Sequence, residues 1–491
     1  MARTAPTGPL IALSLDRTCS TPLWRQLLGE LREAIRSGRL AGGTRLPSTR
    51  SLAADLGLSR NTVLQVFDVL RDEGLLVSRT GAGTQVVSPA GAGRAPSAAP
   101  AEVAPARALS CRGEALVTAA AQEFGERPLP FMPDIPDLRA FPIRSWTRLL
   151  GEVSGRLTGR ILVEAGAGGY APLRRAIAGH LNAARGMDCT PEQVLVTSGS
   201  QQGLDLACRL LIDPGDPVWM EDPAYVGARS VIAGNGGAPR PLALDAEGMI
   251  LPSDGAPPRL ILVSPARHYP LGTPLSPERR RALLDLARAS GSWILEDDYD
   301  HEFARTNSAA LAAADPARRT LHMGTFSKIL LPSFRLGYLV VPQDLTPAFT
   351  KARAVVDRHA SLIEQMVLAE FMERGLFAAH VRRMRALYRT RGARLAAGLG
   401  ALFGAGPWSQ PPSGTHIVLP FHAGADDRAM ARDLAAAGVV VRPLSPYGAG
   451  TAPRAGLLLG FAGFDEAEMD RGLRRLEPLR KAIAERLERG A

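Results

Sequence analysis

GTFSK, residues 324–328, ends in Lys328, the first of only three lysines in a chain with 58 Lys plus Arg residues. Lysine recurs at Lys351 and Lys481 alone, so arginine fills nearly every cationic role. A lysine is informative where arginine cannot replace it. Schiff-base chemistry is such a role, because a guanidinium does not give up its proton. One lysine on a loop decides little by itself, so the stretches around it carry the argument.

Upstream, SWILEDDYD (292–300) is an apolar run, Trp293 to Leu295, followed by carboxylates. This places Asp297 and Tyr299 at the carboxyl end of a strand, where open α/β sheets bind ligands. A carboxylate there holds a pyridinium nitrogen protonated, and a phenol two residues on hydrogen-bonds a ring hydroxyl, a pair suited to pyridoxal phosphate. A solvated acidic turn or a metal site is the other reading of Glu296, Asp297, Asp298, Asp300, His301 and Glu302. Consecutive residues on a strand end alternate outward instead of converging on one ion, so no metal is expected. QVLVTSGSQQGLDLACRLL (193–211) reads as strand, turn and helix, so free N–H groups and a positive dipole end face whatever lies over Ser198-Gly199-Ser200-Gln201. In GTFSKILLPSFRLGYLV (324–340), Thr325, Ser327 and Arg335 add two hydroxyls and a bidentate donor, the set that a phosphate monoester needs. EDPAYVGAR (221–229) offers Tyr225 as a stacking face or as an ordinary core tyrosine.

In this order, residues 130 to 491 resemble the fold type I aminotransferases, which bind pyridoxal 5′-phosphate. The resemblance rests on GGYAPLRRAI, TSGSQQGL, EDPAY, HYPLG, EDDYD and GTFSK with its downstream arginine. It implies an α/β domain with a large mixed sheet and a smaller C-terminal subdomain. Lys328 would form the internal aldimine, Asp297 would pair with the pyridine nitrogen and Tyr299 with the ring hydroxyl. Ser200, Gln201, Thr325, Ser327 and Arg335 would hold the phosphate, and Tyr225 would stack on the ring. Two departures stand out. HYPLG puts Tyr269, beside His268, where the aminotransferases usually have Asn, so Tyr269 joins the expected cofactor contacts. LLLGFAG (457–463) sets Leu458 where they place an arginine for the substrate carboxylate, with Arg442 and Arg454 nearby.

The N-terminal stretch has another character. PLWRQLLGELREAIRSG (22–38) spaces Leu23, Leu27, Leu31 and Ile35 at intervals of four, an amphipathic helix. Pro47 and Ser48 open a short second helix. Ser59 N-caps a third, whose Val63, Val66, Phe67 and Leu70 form the buried face while Arg60, Asn61, Thr62 and Gln65 point away. LLVSRTGAGTQVV (75–87) then predicts two strands around a glycine-rich turn, a wing edged by Arg79. Residues 1–88 carry 11 Arg against 7 Asp plus Glu. Isolated helix-turn-helix patterns are common, but this ordered set resembles the GntR family of bacterial regulators. By that resemblance Arg50, Arg60, Asn61, Thr62, Arg79 and Gly81 would touch double-stranded DNA.

Residues 89–107 are almost entirely Ala, Pro and Gly and cannot bury enough surface to offset the entropy of ordering. The expected domains are a winged helix-turn-helix (1–88), a linker (89–125) and a cofactor-binding, dimerising domain (126–491). A GntR-like head joined by such a linker to an aminotransferase-like domain resembles the MocR-type transcriptional regulators over both parts. That likeness implies a domain-swapped homodimer that senses pyridoxal phosphate, an amine or an amino acid. A working aminotransferase with an accessory DNA head and a repressor whose large domain only dimerises are the rival readings. At 491 residues, 46% hydrophobic and net charge +10, the chain has core enough for two or three domains and favours a polyanionic partner. No apolar run reaches eighteen residues and the N-terminus lacks a leader pattern, so no membrane partner and a cytoplasmic address are expected. Cys19, Cys111, Cys189 and Cys208 form no metal or disulfide pattern.

Overall fold

The four-residue repeat of the head becomes helix α1 (Leu23–Arg36) in the computed structural model, with Leu27 and Leu31 fully buried and Ile35 at the margin. The structure describes residues 15–79 apart from 18 and 20, then 83–87, 109–117, 128–157, 159, 166–304, 308–409, 413–450 and 454–487. It divides into two compact units, residues 1–107 and 108–491.

In the first unit, α2 (Thr49–Leu56) starts at Ser48, whose Oγ accepts from Ser51 N at 3.1 Å, and ends at Gly57 with φ 62°. Helix α3 (Arg60–Asp72) starts at Ser59, whose Oγ accepts from Thr62 N at 3.1 Å. Each cap satisfies an N–H that the helix cannot pair internally, a contribution of about 1 kcal/mol. Val63, Val66, Phe67 and Leu70 close the core as expected. Strands β1 (Leu76–Arg79) and β2 (Gly83–Val86) form the antiparallel wing, with Leu76 opposite Val86. One rung escaped the sequence reading: Arg45 bridges Gln85, and Leu46 N donates to Thr84 O at 2.9 Å. Pro47 ends that rung before any two-residue alternation can show.

Within the stretch expected as linker, Cys111–Val117 forms a short helix, α4, packed on the helix Val226–Gly234. Leu116 lies so close to Gly234 that a Cβ there would overlap it. Two turns are too short for a helical period to stand out in the sequence.

The second unit is built on β3 (Val194–Thr197), β4 (Pro217–Asp222), β5 (Ala238–Asp245), β6 (Gly248–Met249), β7 (Leu260–Val263), β8 (Trp293–Asp298), β9 (Thr320–Thr325) and β10 (Gly337–Val340). They make one mixed sheet in the order β3-β10-β9-β8-β7-β4-β5-β6. Strands β5, β4, β7, β8 and β9 run parallel, while β10 is antiparallel to both β9 and β3. Helices cover both faces, so inner strands such as LILV at 260–263 are buried throughout and read as unbroken apolar runs. Parallel pairing of β8 with β9 sets Asp297 opposite Met323 and Asp298 opposite Gly324, which brings the carboxyl ends of EDDYD and GTFSK to one edge. The C-terminal subdomain holds an antiparallel sheet of β11 (His416–Phe421), β13 (Ala455–Gly460) and β12 (Arg442–Pro443), in which Arg442 faces Leu458. All four cysteines are free thiols. Among the described residues no helix is long and apolar enough to cross a membrane.

Candidate functional site

Ser200, Gln201, Tyr225, Tyr269, Asp297, Tyr299, Thr325, Ser327, Lys328 and Arg335, all the residues expected to meet a cofactor, line one cavity of about 480 Å³. Three local devices shape it.

The first is the turn after β3. Gly199 has φ 92°, and no side chain caps the helix Ser200–Leu211 that follows, so its leading N–H groups are directed to the cavity. Arg335 Nη2 donates to Ser198 O at 3.2 Å, and Thr325 Oγ1 accepts from Ser327 N at 3.2 Å. Ser327 Oγ is buried and has no hydrogen-bond partner among the described residues. An uncapped helix start, an unpaired hydroxyl and a guanidinium fit a phosphate group. A Cβ on Gly199 would meet Arg335 Nη2 at 2.9 Å. Gly199→Ala is therefore expected to cost about 1–3 kcal/mol of stability through backbone strain. It should also weaken pyridoxal phosphate binding more than pyridoxal binding, as denaturant titration and ligand titration would show.

The second is the end of β8. Strand alternation sends Glu296 and Asp298 to one side, where His322 Nδ1 meets Glu296 at 3.0 Å and Arg185 Nε meets Asp298 at 2.8 Å. Asp297 faces the other way, into the cavity, and its Oδ1 is buried without a hydrogen-bond partner among the described residues. Burial, reinforced by Asp298 and Asp300, pushes its carboxyl up to about 7. An orphaned carboxylate oxygen of this kind fits the protonated nitrogen of a pyridine ring. Tyr299 Oη accepts from Arg267 Nη1 at 2.7 Å, so its own proton is available for a ring oxygen, and Arg267 also binds Asp300 at 3.0 Å. Tyr225, 40% exposed, presents its ring at 77° to that of Tyr269.

The third is the lysine. Lys328 Nζ donates to Asp134 Oδ1 at 2.6 Å, while Tyr269 Oη donates to Asp134 Oδ2 at 2.8 Å and Arg442 Nη1 pairs with the same oxygen. Burial opposes ionisation of Asp134, yet Lys328 and Arg442 hold its carboxyl well below the usual carboxylate range. Sequence reasoning missed Asp134, because a loop residue 194 positions from its partner leaves no periodic signal. Leu458 is fully buried beneath Tyr269, Tyr299 and Tyr447, off the cavity wall. Arg454 donates to Leu244 O at 2.7 Å, so of the two arginines named beside Leu458 it is Arg442 that pairs with a residue of the cavity wall. His268 meets Pro223 O at 2.8 Å, and burial lowers it to about 3, which keeps it neutral.

In the first unit, Arg50, Arg60 and Asn61 are exposed at the starts of α2 and α3. Thr62 is half-buried with Oγ1 2.8 Å from Ser59 Oγ, so its hydroxyl belongs to the cap. The side chain of Arg79 and all of Gly81 lie outside the described residues. Arg45, which sequence reasoning passed over, is exposed beside the wing, and a Cβ on Gly83 would meet its Nε at 2.9 Å.

Residues 23–86 match the family model of bacterial regulatory proteins of the gntR family, and residues 161–476 match that of aminotransferase class I and II. The chain is 37% identical over 471 residues to the probable rhizopine catabolism regulatory protein MocR of Rhizobium meliloti, covering 94% of this chain and 95% of that one. It is 30% identical to the HTH-type pyridoxine biosynthesis transcriptional regulator PdxR of Corynebacterium glutamicum, over 93% and 95% of the two chains. Among solved structures, the kynurenine aminotransferase of Pyrococcus horikoshii in complex with PMP is 26% identical, with a TM-score of 0.66 over 77% of this chain and 95% of that one.

Proposed function

The chain belongs to the MocR-type transcriptional regulators of the GntR family, and from that premise we propose that Lys328 carries pyridoxal 5′-phosphate and that the loaded domain reports an amine, an amino acid or the cofactor itself to DNA. The observation that carries this reading is the convergence of Lys328, the orphaned oxygen of Asp297 and the uncapped helix start at Ser200 on one cavity. When bound, the cofactor supplies an aldehyde that condenses with primary amines. Around it, Lys328 is the covalent anchor and Asp297 keeps the ring nitrogen protonated. Tyr299 donates to the ring oxygen, Tyr225 covers a ring face, and Ser200, Gln201, Thr325, Ser327 and Arg335 hold the phosphate.

On the DNA side, α3 enters the major groove with Arg60, Asn61 and Thr62 at its start, and Arg50 and the wing at Arg79 and Gly81 follow the phosphates. The net charge of +10 supports a polyanionic target. The linker lets each head pass to a partner subunit, which gives a homodimer with two heads for two half-sites. A DNA target sets the place of action in the cytoplasm. One relative is named for a catabolic pathway and another for pyridoxine biosynthesis, so amine use and vitamin supply are the two kinds of target this reading retains.

A ligand shifts DNA affinity only by its differential binding to two arrangements of the protein. Fluorescence anisotropy on a duplex selected by the full-length protein from a random pool is expected to show a shift of about fivefold or more on adding pyridoxal phosphate, an amine or an amino acid. DNA affinity that no such ligand alters would defeat the proposal. Leu458 in place of a carboxylate-binding arginine leaves the Cα–H of an amino acid poorly oriented, so slow or absent transamination is expected. Sustained multiple turnover with an amino acid and a keto-acid acceptor would instead make the protein an aminotransferase with a DNA-binding head.

A further inference from the structure

We propose that Asp134 sets the effector class of this cavity: it selects primary amines that carry a hydroxyl or a second ammonium group and disfavours those that carry a carboxylate. The inference rests on the reading that Lys328 holds the cofactor. Asp134 lies on the cavity wall with 8% of its surface exposed. Its Oδ2 is taken by Tyr269 Oη at 2.8 Å and by Arg442, and its Oδ1 by Lys328 Nζ at 2.6 Å. These two oxygens face different futures. Arg442 is not among the residues expected to meet the cofactor, and Tyr269, which is, already gives its hydroxyl proton to Asp134 Oδ2. The contact with Lys328 depends on a free amine, so in the loaded protein, for as long as no ligand amine has displaced that nitrogen, Oδ1 needs another donor, since a buried acceptor without one is costly. A hydroxyl or ammonium group on the incoming amine supplies it.

A carboxylate on the ligand meets the reverse situation. Arg267 is bound by Tyr299 Oη at 2.7 Å and by Asp300 at 3.0 Å, and Arg335 serves the turn at Ser198. Arg442 is neutralised by Asp134, and Leu458 adds no charge. A ligand carboxylate would have to displace Asp134 from Arg442 and then lie beside it as a like charge in a site of low dielectric, which is strongly disfavoured. Asp134 has φ 71°, a left-handed conformation uncommon for non-glycine residues, though Asp takes it more readily than most.

The test uses the full-length holoprotein and three two-carbon probes that differ only at the far end: 2-aminoethanol, 1,2-diaminoethane and glycine. Dissociation constants come from calorimetry, with thermal shift as a second measure. The wild type is expected to bind 2-aminoethanol and 1,2-diaminoethane at least about tenfold more tightly than glycine. Asp134→Asn keeps the shape and tolerates the positive φ, and Asp134→Gly removes the side chain while relieving it. Both should shrink or invert the preference, because each removes the carboxylate that neutralises Arg442 and repels the glycine carboxylate. Equal or tighter glycine binding by the wild type, or an unchanged preference in both variants with the visible cofactor band intact, overturns the assignment of Asp134 alone. A wild-type protein with no visible band on adding pyridoxal phosphate overturns the underlying reading as well.

Discussion

Lys328→Ala is expected to abolish the visible absorption that pyridoxal phosphate gives with the wild type and to leave no borohydride-trapped adduct in the peptide spanning residues 324–335. The effect is all or none, because a methyl group cannot form the bond and no second amine among the described residues lines the cavity. Lys351, the next lysine in the chain, is exposed on the helix Thr346–Val356 and is absent from the cavity wall. Weak cofactor binding should survive, since the Ser200 turn, Ser327 and Arg335 do not depend on the lysine for their positions. Lys328→Arg separates charge from chemistry. It can keep an ion pair with Asp134 while still losing the covalent bond, because a guanidinium stays protonated. The fold should be retained in both variants, as monitored by circular dichroism. An adduct trapped at the wild-type yield in Lys328→Ala would move the covalent role to another amine.

Asp297 and Tyr299 were legible in the sequence for a definite reason. An apolar run ending in charge marks the carboxyl end of a strand, and strict alternation assigns odd and even residues to opposite faces. The same rule divides the acidic run: Glu296 and Asp298 are held by His322 and Arg185 on one side and Asp297 points to the other. The turn at Ser198 to Gln201 was legible as a turn because strand, Gly-Ser turn and helix lie within one continuous segment. What escaped depends on contacts between distant segments. Asp134 meets Lys328 across 194 positions, and Arg267 reaches Tyr299 across 32 from a loop with no period of its own. Leu458 shows the limit of a position read by likeness. It is neutral and near the site, but it supports Tyr269, Tyr299 and Tyr447 from behind, and the charge that bears on a ligand carboxylate belongs to Asp134 and Arg442. In the head, three helices and a hairpin could be read from caps and stripes, whereas the rung at Arg45 is too short to leave a pattern.

Arg60→Ala is expected to weaken binding to the selected duplex by about tenfold or more, and the salt series tells which contact was lost. Arg60 is exposed at the first position of α3, whose opposite face is anchored by the buried Val63, Val66, Phe67 and Leu70, so removing its side chain leaves the packing untouched. If Arg60 neutralises a phosphate, the loss is uniform across sequences and the slope of log affinity against log salt falls by roughly one unit. If it reads a base edge, the loss of about 1–3 kcal/mol is confined to duplexes with the preferred base, and the variant tolerates substitution there. Arg50→Ala, at the start of α2, should follow the phosphate pattern, because in this arrangement the first helix of the pair crosses the backbone while the second enters the groove. Neither substitution should alter the visible cofactor band, since both residues belong to the first compact unit and Lys328 to the second. Wild-type affinity and an unchanged salt slope in Arg60→Ala would take the start of α3 out of the DNA interface and leave Arg45 and the wing as the surface to test next.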